Sequence, residues 1–400
     1  MPLQIVIVGP FGLRPKGTMS VRALPMAKAL VARGHQVTVL IPPWDDTTRA
    51  GQSWYEKNVE VVNLPLPPAI PGVFHIWLTY RLYRETLRRK PDVVHLFKPK
   101  AYAGLTHLAL WLRRELKFVT PRLVVDADDW EQAWNEILPY SVWQKKFFAW
   151  QEEWGLDMAD AVTVASRALE GLARKQRKKH AVFYVPNGGH ALTNSNEHIN
   201  LATVSSANLA EFNHDTDGPL ILLYSRFMEF RLSRVVTLMQ KVAHHLPKAR
   251  WLIVGQGIHG EDKTLAEKVD RAGLSDRVQF MGWVAMSELS TYFHKADLAI
   301  YPYDNTWLNR TKCSVKLIDL MSAGVPVVAD AIGQNCEYIQ DAQSGLLVPP
   351  EDDEAFCEAI VRLAHDPILR EKISNRAKQV IEERFVWSEL VTVVEQAYAP

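Results

Sequence analysis

The sequence predicts an α/β protein built from two Rossmann-like domains. Its 400 residues exceed what one ordinary hydrophobic core holds. Continuous Val, Ile and Leu runs alternate with helical segments, which indicates parallel sheets covered on both faces. A polar stretch from His190 to Pro219 interrupts this alternation before it starts again. We therefore predict domains at 1–190 and 219–380, a linker at 191–218, and a C-terminal helix within 381–400 that packs back on the first domain.

The apolar runs place the strands. In the first half we predict strands at Gln4–Val8, Gln36–Ile41, Asp92–Leu96, Leu123–Val125, Ala161–Val164 and Val182–Val185. In the second half we predict strands at Leu220–Tyr224, Trp251–Val254, Val278–Met281, Leu298–Tyr301 and Pro326–Ala329. Amphipathic patterns predict helices at Glu354–Ala364 and Phe385–Tyr398. In such sheets, ligands bind beyond the carboxyl ends of the strands.

Composition and targeting signals bound the possible functions. The net charge of +1 offers no global field for nucleic acid, so we expect no such partner. Three cysteines without a CxxC pair suit a reducing cytoplasm and predict neither disulfides nor a zinc site. The uncharged segment Val61–Tyr80 contains four prolines, which favours a loop or surface segment over a spanning helix. We expect a cytoplasmic protein.

Basic residues after the first strand of the second half suggest anion binding. Arg226 follows the predicted strand and Arg231 comes five residues later. Guanidinium groups present planar donors to phosphate oxygens, although two solvated surface arginines fit the spacing as well.

A polar, basic loop then leads into a helix that ends at Gly324. The backbone N–H groups at such a helix start bind phosphate. Asp319 lies three residues after Lys316 on roughly the same face, where a surface ion pair is the alternative interpretation.

These segments, taken in order, resemble family 4 glycosyltransferases, which are retaining enzymes with the GT-B fold. Val254-Gly-Gln-Gly257, Ala323-Gly-Val-Pro-Val-Val328 and Gly345-Leu-Leu-Val-Pro349 match the second half of the family pattern, and Pro186-Asn-Gly188 matches the first. The resemblance spans essentially the whole chain. It implies two Rossmann-like domains facing across a cleft, with the donor held by the second domain.

The resemblance also implies roles for individual residues. Arg226 and Arg231 would hold the donor diphosphate and neutralise the leaving group. Asp319 stands where the family has a Glu that accepts the ribose hydroxyls, and Thr311 stands where another Glu touches the transferred sugar. The donor-binding set is completed by Gly12, Gly17, Gly257, Ser314, Val315 and Lys316. The implied donor is a UDP- or GDP-linked sugar, with neither cofactor nor metal.

A third catalytic candidate lies in the first half. Asp128, in Asp126-Ala-Asp128, occupies the position of a family His that faces the reacting sugar. A carboxylate there would stabilise a developing oxocarbenium ion or accept the acceptor's proton. The alternative is a helix N-cap or an ordinary loop acid.

Four other functions fit parts of the pattern. Asp126 and Asp128 resemble the metal-binding DxD of GT-A glycosyltransferases. Gly255–Gly260 spells the GxGxxG of an NAD-dependent dehydrogenase, although no acid ends the following strand. A GT-B epimerase would share the diphosphate site, and so would a non-catalytic sugar-nucleotide binder.

Aromatic and basic residues interleave in two first-half segments, 74–84 and 143–150, and 174–180 adds a basic cluster. Tryptophan beside Lys or Arg suits a membrane interface, while core aromatics beside solvated charges are the alternative. We therefore expect a glycan or lipid-linked acceptor. Peripheral contact with the inner face of a membrane is a further hypothesis.

Overall fold

The computed structural model describes residues 1–13, 17–70, 72–176, 181–189 and 218–400. The chain forms two compact units. The first contains Met1–Gly188, Thr311–Cys313 and Phe385–Pro400, and the second contains Gly189–Arg310 and Ser314–Arg384. The predicted linker at 191–218 lies, except for its last residue, outside the described residues.

The first unit is built on one mainly parallel sheet. In the described residues its strands are β1 (Gln4–Val8), β2 (Gln36–Ile41), β3 (Ser53–Glu56), β4 (Val59–Asn63), β5 (Val93–Phe97), β6 (Arg122–Ala127), β7 (Ala161–Val164) and β8 (Ala181–Tyr184). Their order is β3-β4-β2-β1-β5-β6-β7-β8. Every residue of β5 is buried, and so are all but the first residues of β1 and β2, as expected for strands covered on both faces.

Two helical layers cover this sheet. The helices before β8 are α1 (Leu24–Ala32), α2 (Val73–Arg88), α3 (Ala101–Glu115), α4 (Glu131–Ile137), α5 (Val142–Met158) and α6 (Arg167–Gln176). Helix α2 packs on α3, which packs on α5, so these three form one layer. On the other face, α1 packs against the helix Trp387–Tyr398, which also contacts β6, β7 and β8.

The second unit repeats the architecture with a parallel sheet. Its strands are β9 (Leu220–Tyr224), β10 (Arg250–Val254), β11 (Val278–Gly282), β12 (Leu298–Tyr301), β13 (Val327–Asp330) and β14 (Leu346–Val348). Their order, β11-β10-β9-β12-β13-β14, is that of a doubly wound nucleotide-binding sheet. The order reverses at β9 here and at β1 in the first unit, and ligands bind beside such reversal points.

The helices of the second unit connect its strands. They are α7 (Leu232–His245), α8 (Glu261–Arg271), α9 (Leu289–Lys295), α10 (Trp307–Thr311), α11 (Val315–Ala323), α12 (Asn335–Tyr338), α13 (Asp353–His365) and α14 (Pro367–Arg384). The final helix, α15 (Trp387–Tyr398), belongs to the first unit. None of the described helices combines the length and apolar composition needed to cross a bilayer.

The structure corrects several sequence predictions. Segment Val61–Tyr80 is not simply a loop, because it contains the end of β4 and the first half of α2. Strand β3 pairs antiparallel with β4, so the first sheet is not wholly parallel. The structure places the residues after 381 in two helices, since α14 continues to Arg384 before α15 begins at Trp387. Strands β3, β4 and β14 were not predicted.

Candidate functional site

In the first unit, Asp128 lies directly beyond β6, at the C-terminal edge of the sheet. It is 8% exposed. The Thr18 hydroxyl donates a hydrogen bond of 2.9 Å to Oδ2, and the Lys98 Nζ lies 3.0 Å from Oδ1. Burial raises the pKa of Asp128 to about 6, with nearby carboxylates adding to the rise and Lys98 opposing it. Near neutral pH the side chain is therefore mostly anionic, within reach of protonation.

The two lysines after β5 are occupied by acids of the same unit. Lys98 donates to Glu131 at 2.8 Å and to Asp129 at 3.2 Å. Lys100 donates to Glu131 at 3.1 Å and to Asn135 at 2.8 Å. The lysines hold the pKa of Glu131 below its usual value despite its burial. The two lysines therefore hold the acidic side chains in place at the edge of the first unit's sheet.

Asp126 belongs to a separate, fully buried network. Arg22 donates to both of its oxygens, at 2.8 and 2.7 Å, and Thr163 donates at 2.6 Å. The Thr163 hydroxyl also lies 3.1 Å from His95, which in turn lies 2.8 Å from the Tyr398 hydroxyl of α15. Arg22 and Thr163 hold the pKa of Asp126 down against burial. Its oxygens are committed to protein donors.

The alternative role of Asp128 as a helix cap is not what the structure shows. The first N–H groups of α4, from Glu131 and Gln132, donate to the carboxylate of Glu152 at 2.9 and 3.1 Å. Burial is the main cause that raises the pKa of Glu152, to about 7. Asp128 instead points to Thr18 and Lys98.

The other first-unit candidates are held by backbone contacts. The Gly12 N–H donates to Asp45 at 3.1 Å, and the Gly17 carbonyl accepts from the Val21 N–H at 2.8 Å. Thr311 is fully buried, and its carbonyl accepts from the Ser166 hydroxyl at 2.7 Å. Thr311 therefore lies in the same unit as Asp128.

In the second unit, cationic and aromatic side chains meet beyond β9. Arg226 is exposed, two residues past the buried Tyr224 at the end of the strand. The Nζ of Lys316, on α11, lies 3.4 Å from the centroid of the Tyr224 ring. Asp319 follows on the same helix, and burial raises its pKa to about 7, with Lys316 opposing the rise. Burial is the main cause that raises the pKa of Tyr224, with the charge of Asp319 adding to the rise and that of Arg226 opposing it.

The first turn of α11 lacks a side-chain cap from its N-cap residue. Ser314 occupies the N-cap position, yet its hydroxyl accepts a hydrogen bond from the Tyr301 hydroxyl and does not cap the helix. Val315 begins the helix, and Gly324 ends it in the left-handed conformation, with φ 76°. Tyr301 ends β12, so the helix start lies near the β9–β12 reversal point.

Two further candidates of the second unit contact acidic side chains, and the Arg231 guanidinium lies 3.3 Å from Asp304. Arg231 is the N-cap residue of α7; its N–H donates to Asp304 at 2.7 Å, and its side chain is 64% exposed. The Gly257 N–H donates to Asp262 at 3.0 Å, and a Cβ at Gly257 would lie 2.3 Å from a Glu261 oxygen. Two acids therefore occupy the start of α8, where a dinucleotide pyrophosphate would need positive potential. This arrangement disfavours the dehydrogenase interpretation.

Family models match both halves of the chain. Residues 17–188 match a model described as "Glycosyl transferase 4-like domain", and residues 218–366 match one described as "Glycosyl transferases group 1". The chain belongs to glycosyltransferase family 4. The resemblance stated from the sequence is thereby confirmed.

Relatives and solved structures are similar to this glycosyltransferase along its full length. A phosphatidyl-myo-inositol mannosyltransferase of Mycobacterium leprae is 24% identical, over 99% of this chain and 96% of the relative. Sucrose-phosphate synthase from Thermosynechococcus elongatus is 20% identical, with a TM-score of 0.74 over 99% of this chain and 98% of the other. Anabaena HepE, solved with UDP and glucose, is 17% identical, with a TM-score of 0.66 over 98% of each chain. These likenesses confirm the predicted GT-B fold class.

Several residues of the glycosyltransferase were missed from the sequence as site components. Tyr224 was assigned only as a strand end, and Thr18 was not considered. Lys98, which follows β5, was given no role. Their position could have identified them as site residues. Each lies at the end of a strand, or in the segment after it, beside the reversal point of its sheet.

Proposed function

We propose that this glycosyltransferase moves a hexosyl group from a UDP- or GDP-linked sugar to an acceptor hydroxyl, with retention and without a metal ion. The main support for this proposal is the group of cations beyond β9. Arg226 is exposed just beyond β9, and the Lys316 ammonium lies over the ring of Tyr224, the last residue of that strand, beside the start of α11. Two cations and a helix N-terminus at a sheet reversal point form a favourable site for a diphosphate.

The neighbouring carboxyl extends the site to a nucleotide. Asp319 lies one helical turn after Lys316, and an ionised carboxylate there accepts hydrogen bonds from two ribose hydroxyls. Arg231, exposed at the start of α7, supplies a further charge for the diphosphate in this proposal. A solved structural neighbour, HepE, was crystallised with UDP and glucose, which agrees with a hexosyl donor.

The acid arrangement supports a metal-independent reaction. A DxD motif binds a metal through free carboxylate oxygens. Here Asp126 accepts from Arg22 and Thr163, while Asp128 contacts Thr18 and Lys98. In our proposal Arg226, Arg231 and Lys316 neutralise the leaving diphosphate, which is the task that a metal ion performs in metal-dependent enzymes.

Asp128 is proposed to face the reacting sugar. Its carboxylate, mostly anionic at neutral pH, would stabilise positive charge that develops at the anomeric carbon or accept the proton of the acceptor hydroxyl. Retention is proposed from the resemblance to family 4 enzymes.

On the acceptor side we propose a lipid-linked substrate at an anionic bilayer. The layer formed by α2, α3 and α5 carries an aromatic surface, defined by the exposed Trp77, Tyr80, Phe118, Trp143, Phe147 and Trp150. Cations lie over three of these rings: Arg81 over Trp77, Arg113 over Phe118 and Lys146 over Trp143, at 6.0, 4.9 and 5.7 Å. Exposed aromatic rings beside cations suit the headgroup region. The relative in Mycobacterium leprae is named for an inositol phospholipid.

Nucleotide binding and product analysis test the transferase proposal. Calorimetry with UDP, GDP and ADP should show one preferred nucleotide, and Arg226→Ala should weaken it about 10- to 100-fold because a charged hydrogen bond contributes about 1.5–3 kcal/mol. Arg271→Ala, at an exposed arginine of α8, is the matched control. Transfer should persist in EDTA with the anomeric configuration retained. Conversion of the donor alone into a second nucleotide sugar would indicate an epimerase, and binding without turnover a non-catalytic protein.

Vesicle sedimentation tests the acceptor-side proposal separately. The protein should bind vesicles that contain phosphatidylglycerol, and replacing Trp77 and Trp143 with alanine should reduce the bound fraction several-fold. Trp283→Ala, at an exposed tryptophan of the second unit, should not change it. Equal binding by all three proteins, or none by the wild type, would contradict a bilayer as partner.

A further inference from the structure

The Lys98 ammonium faces three carboxylates at the C-terminal edge of the first unit's sheet. We propose that Lys98 is a positioning residue that, with Thr18 and Glu131, sets the orientation and the charge state of Asp128. The proposal rests on the proposed role of Asp128 beside the reacting sugar. Nothing in the resemblance to family 4 enzymes assigned a role to Lys98.

Three separate segments converge on the Asp128 carboxylate. Thr18 follows β1, Lys98 follows β5 and Asp128 follows β6, so each lies just beyond a strand or its loop. Thr18 binds one oxygen at 2.9 Å, and the Lys98 ammonium lies 3.0 Å from the other. The Thr18 hydrogen bond orients one oxygen, and the ion pair with Lys98 keeps the other oxygen, which accepts no hydrogen bond from the described residues, beside the ammonium. An acid in a solvated loop needs no such contacts, because water solvates its carboxylate.

The backbone at Lys98 is strained in a way that serves this contact. Its φ is +60°, in the left-handed region that non-glycine residues rarely occupy. The Lys98 N–H donates to the Asp126 carbonyl at 2.9 Å, which continues the pairing of β5 with β6 by one bond and fixes the backbone at Lys98. Such strain persists only where the surroundings impose it, and it clusters at functional sites. Here it accompanies an ammonium directed back to the carboxylates after β6.

The charges around Asp128 are unevenly compensated. Lys98 is shared among Asp128, Asp129 and Glu131, at 3.0, 3.2 and 2.8 Å. Glu131 receives a second cation from Lys100. On the side of β6, Arg22 is paired with Asp126 and contributes to Asp128 only at longer range.

It follows that Lys98 divides one positive charge between Glu131 and Asp128. Removing the Glu131 charge favours the anionic form of Asp128 for two reasons: a like charge that raises the Asp128 pKa is gone, and more of the Lys98 charge is left to Asp128. Removing Lys98 has the opposite effect, because an opposite charge within about 4–6 Å favours ionisation. The two changes should therefore move the titration of Asp128 in opposite directions, which a purely structural role of Lys98 does not predict.

Carbon-13 NMR titration of the aspartate carboxyls tests this directly, with Asp128→Asn identifying the signal. Lys98→Met should raise the midpoint by about one pH unit or more, and Glu131→Gln should lower it. Lys98→Arg should restore the wild-type midpoint, and Lys175→Met, at an exposed lysine of α6, should leave it unchanged. Lys98→Arg and Glu131→Gln keep the test available if Lys98→Met fails to fold.

The acidic limb of kcat/KM should follow the same displacements. Midpoints that move in the same direction in Lys98→Met and Glu131→Gln, or that do not move, would overturn the proposal. The NMR titration needs no turnover. A protein without transferase activity would thus contradict the proposed function, whereas the titration alone decides the role of Lys98.

Discussion

The C-terminal edges of the two sheets have similar topology and opposite electrostatics. In the first unit, the cations Lys98 and Lys100 are buried and paired with acids of the same unit. In the second unit, Arg226 is exposed and Lys316 lies on the Tyr224 ring beside the start of α11. At the first edge the cations organise carboxylates, whereas at the second edge one cation is exposed and the other lies over an aromatic ring.

The difference shows that charge count alone does not predict a binding site. A buried cation that is already paired with an acid binds a ligand poorly, because its charge is compensated. Removing one partner of such a pair also lowers the stability of the fold. An exposed cation near a helix start costs little to the fold and attracts anions. Removing a buried, paired cation of the first unit should therefore affect folding, and removing Arg226 or Lys316 of the second unit should affect ligand binding.

The largest expected effect is on stability in the first unit. Arg22→Met leaves the buried Asp126 carboxylate without its bidentate partner, which should lower the free energy of unfolding by about 3–5 kcal/mol. Urea unfolding followed by tryptophan fluorescence measures the loss. Arg226→Met should cost almost nothing in the same experiment, and adding Asp126→Asn to Arg22→Met should recover part of the loss. A loss similar to that of Arg226→Met would contradict the contrast.

The second effect is on ligand binding in the second unit. Lys316→Ala should weaken the preferred nucleoside diphosphate by about tenfold or more, because a charge-assisted contact is lost, while the unfolding transition changes little. Lys263→Ala removes an equal charge from an exposed position of α8 and serves as the control. Isothermal calorimetry with all three proteins measures the difference. Equal weakening by both variants would mean that only overall charge matters.

Much of the fold could be predicted because its strands are continuous apolar runs. β1, β2, β7, β9 and β12 have the predicted bounds. The missed strand β3 alternates exposed and half-buried residues and β4 alternates buried and half-buried residues, and each contains a Glu, so neither is a continuous apolar run. Four prolines favoured a loop across Val61–Tyr80, yet they lie between β4 and α2 and break neither.

The site could be predicted only where its residues share a motif. Arg226, Lys316 and Asp319 were predicted as candidates because they follow a strand or share one helix, and their roles stay predictions. The partners of Asp128 were not, since Thr18 lies 110 residues away and Lys98 belongs to a different strand end. Such contacts depend on strand order, which residue spacing does not contain.

The third effect is the pH dependence of donor binding. The raised pKa of Asp319, about 7, means that it loses its charge as the pH falls through this value. The anion accepts the ribose hydroxyls in our proposal, so affinity for a nucleotide sugar should fall up to tenfold per unit below about pH 7. Asp319→Asn should bind more weakly at alkaline pH and show no such dependence. A wild-type affinity that is constant from pH 6 to 8 would contradict the assignment.

The smallest expected effect is on amide hydrogen exchange, which should differ between the starts of two helices. α5 begins with a closed capping box, in which Ser141 accepts from the Gln144 N–H and the Gln144 side chain accepts from the Ser141 N–H. At α11, by contrast, Ser314 does not cap the first turn. Adding the preferred nucleotide should therefore slow hydrogen exchange at the Lys316 and Leu317 amides by a few fold and leave the Gln144 amide unchanged. Slowing at both helices would indicate general stabilisation of the protein, whereas slowing confined to α11 would locate the phosphate at its first turn.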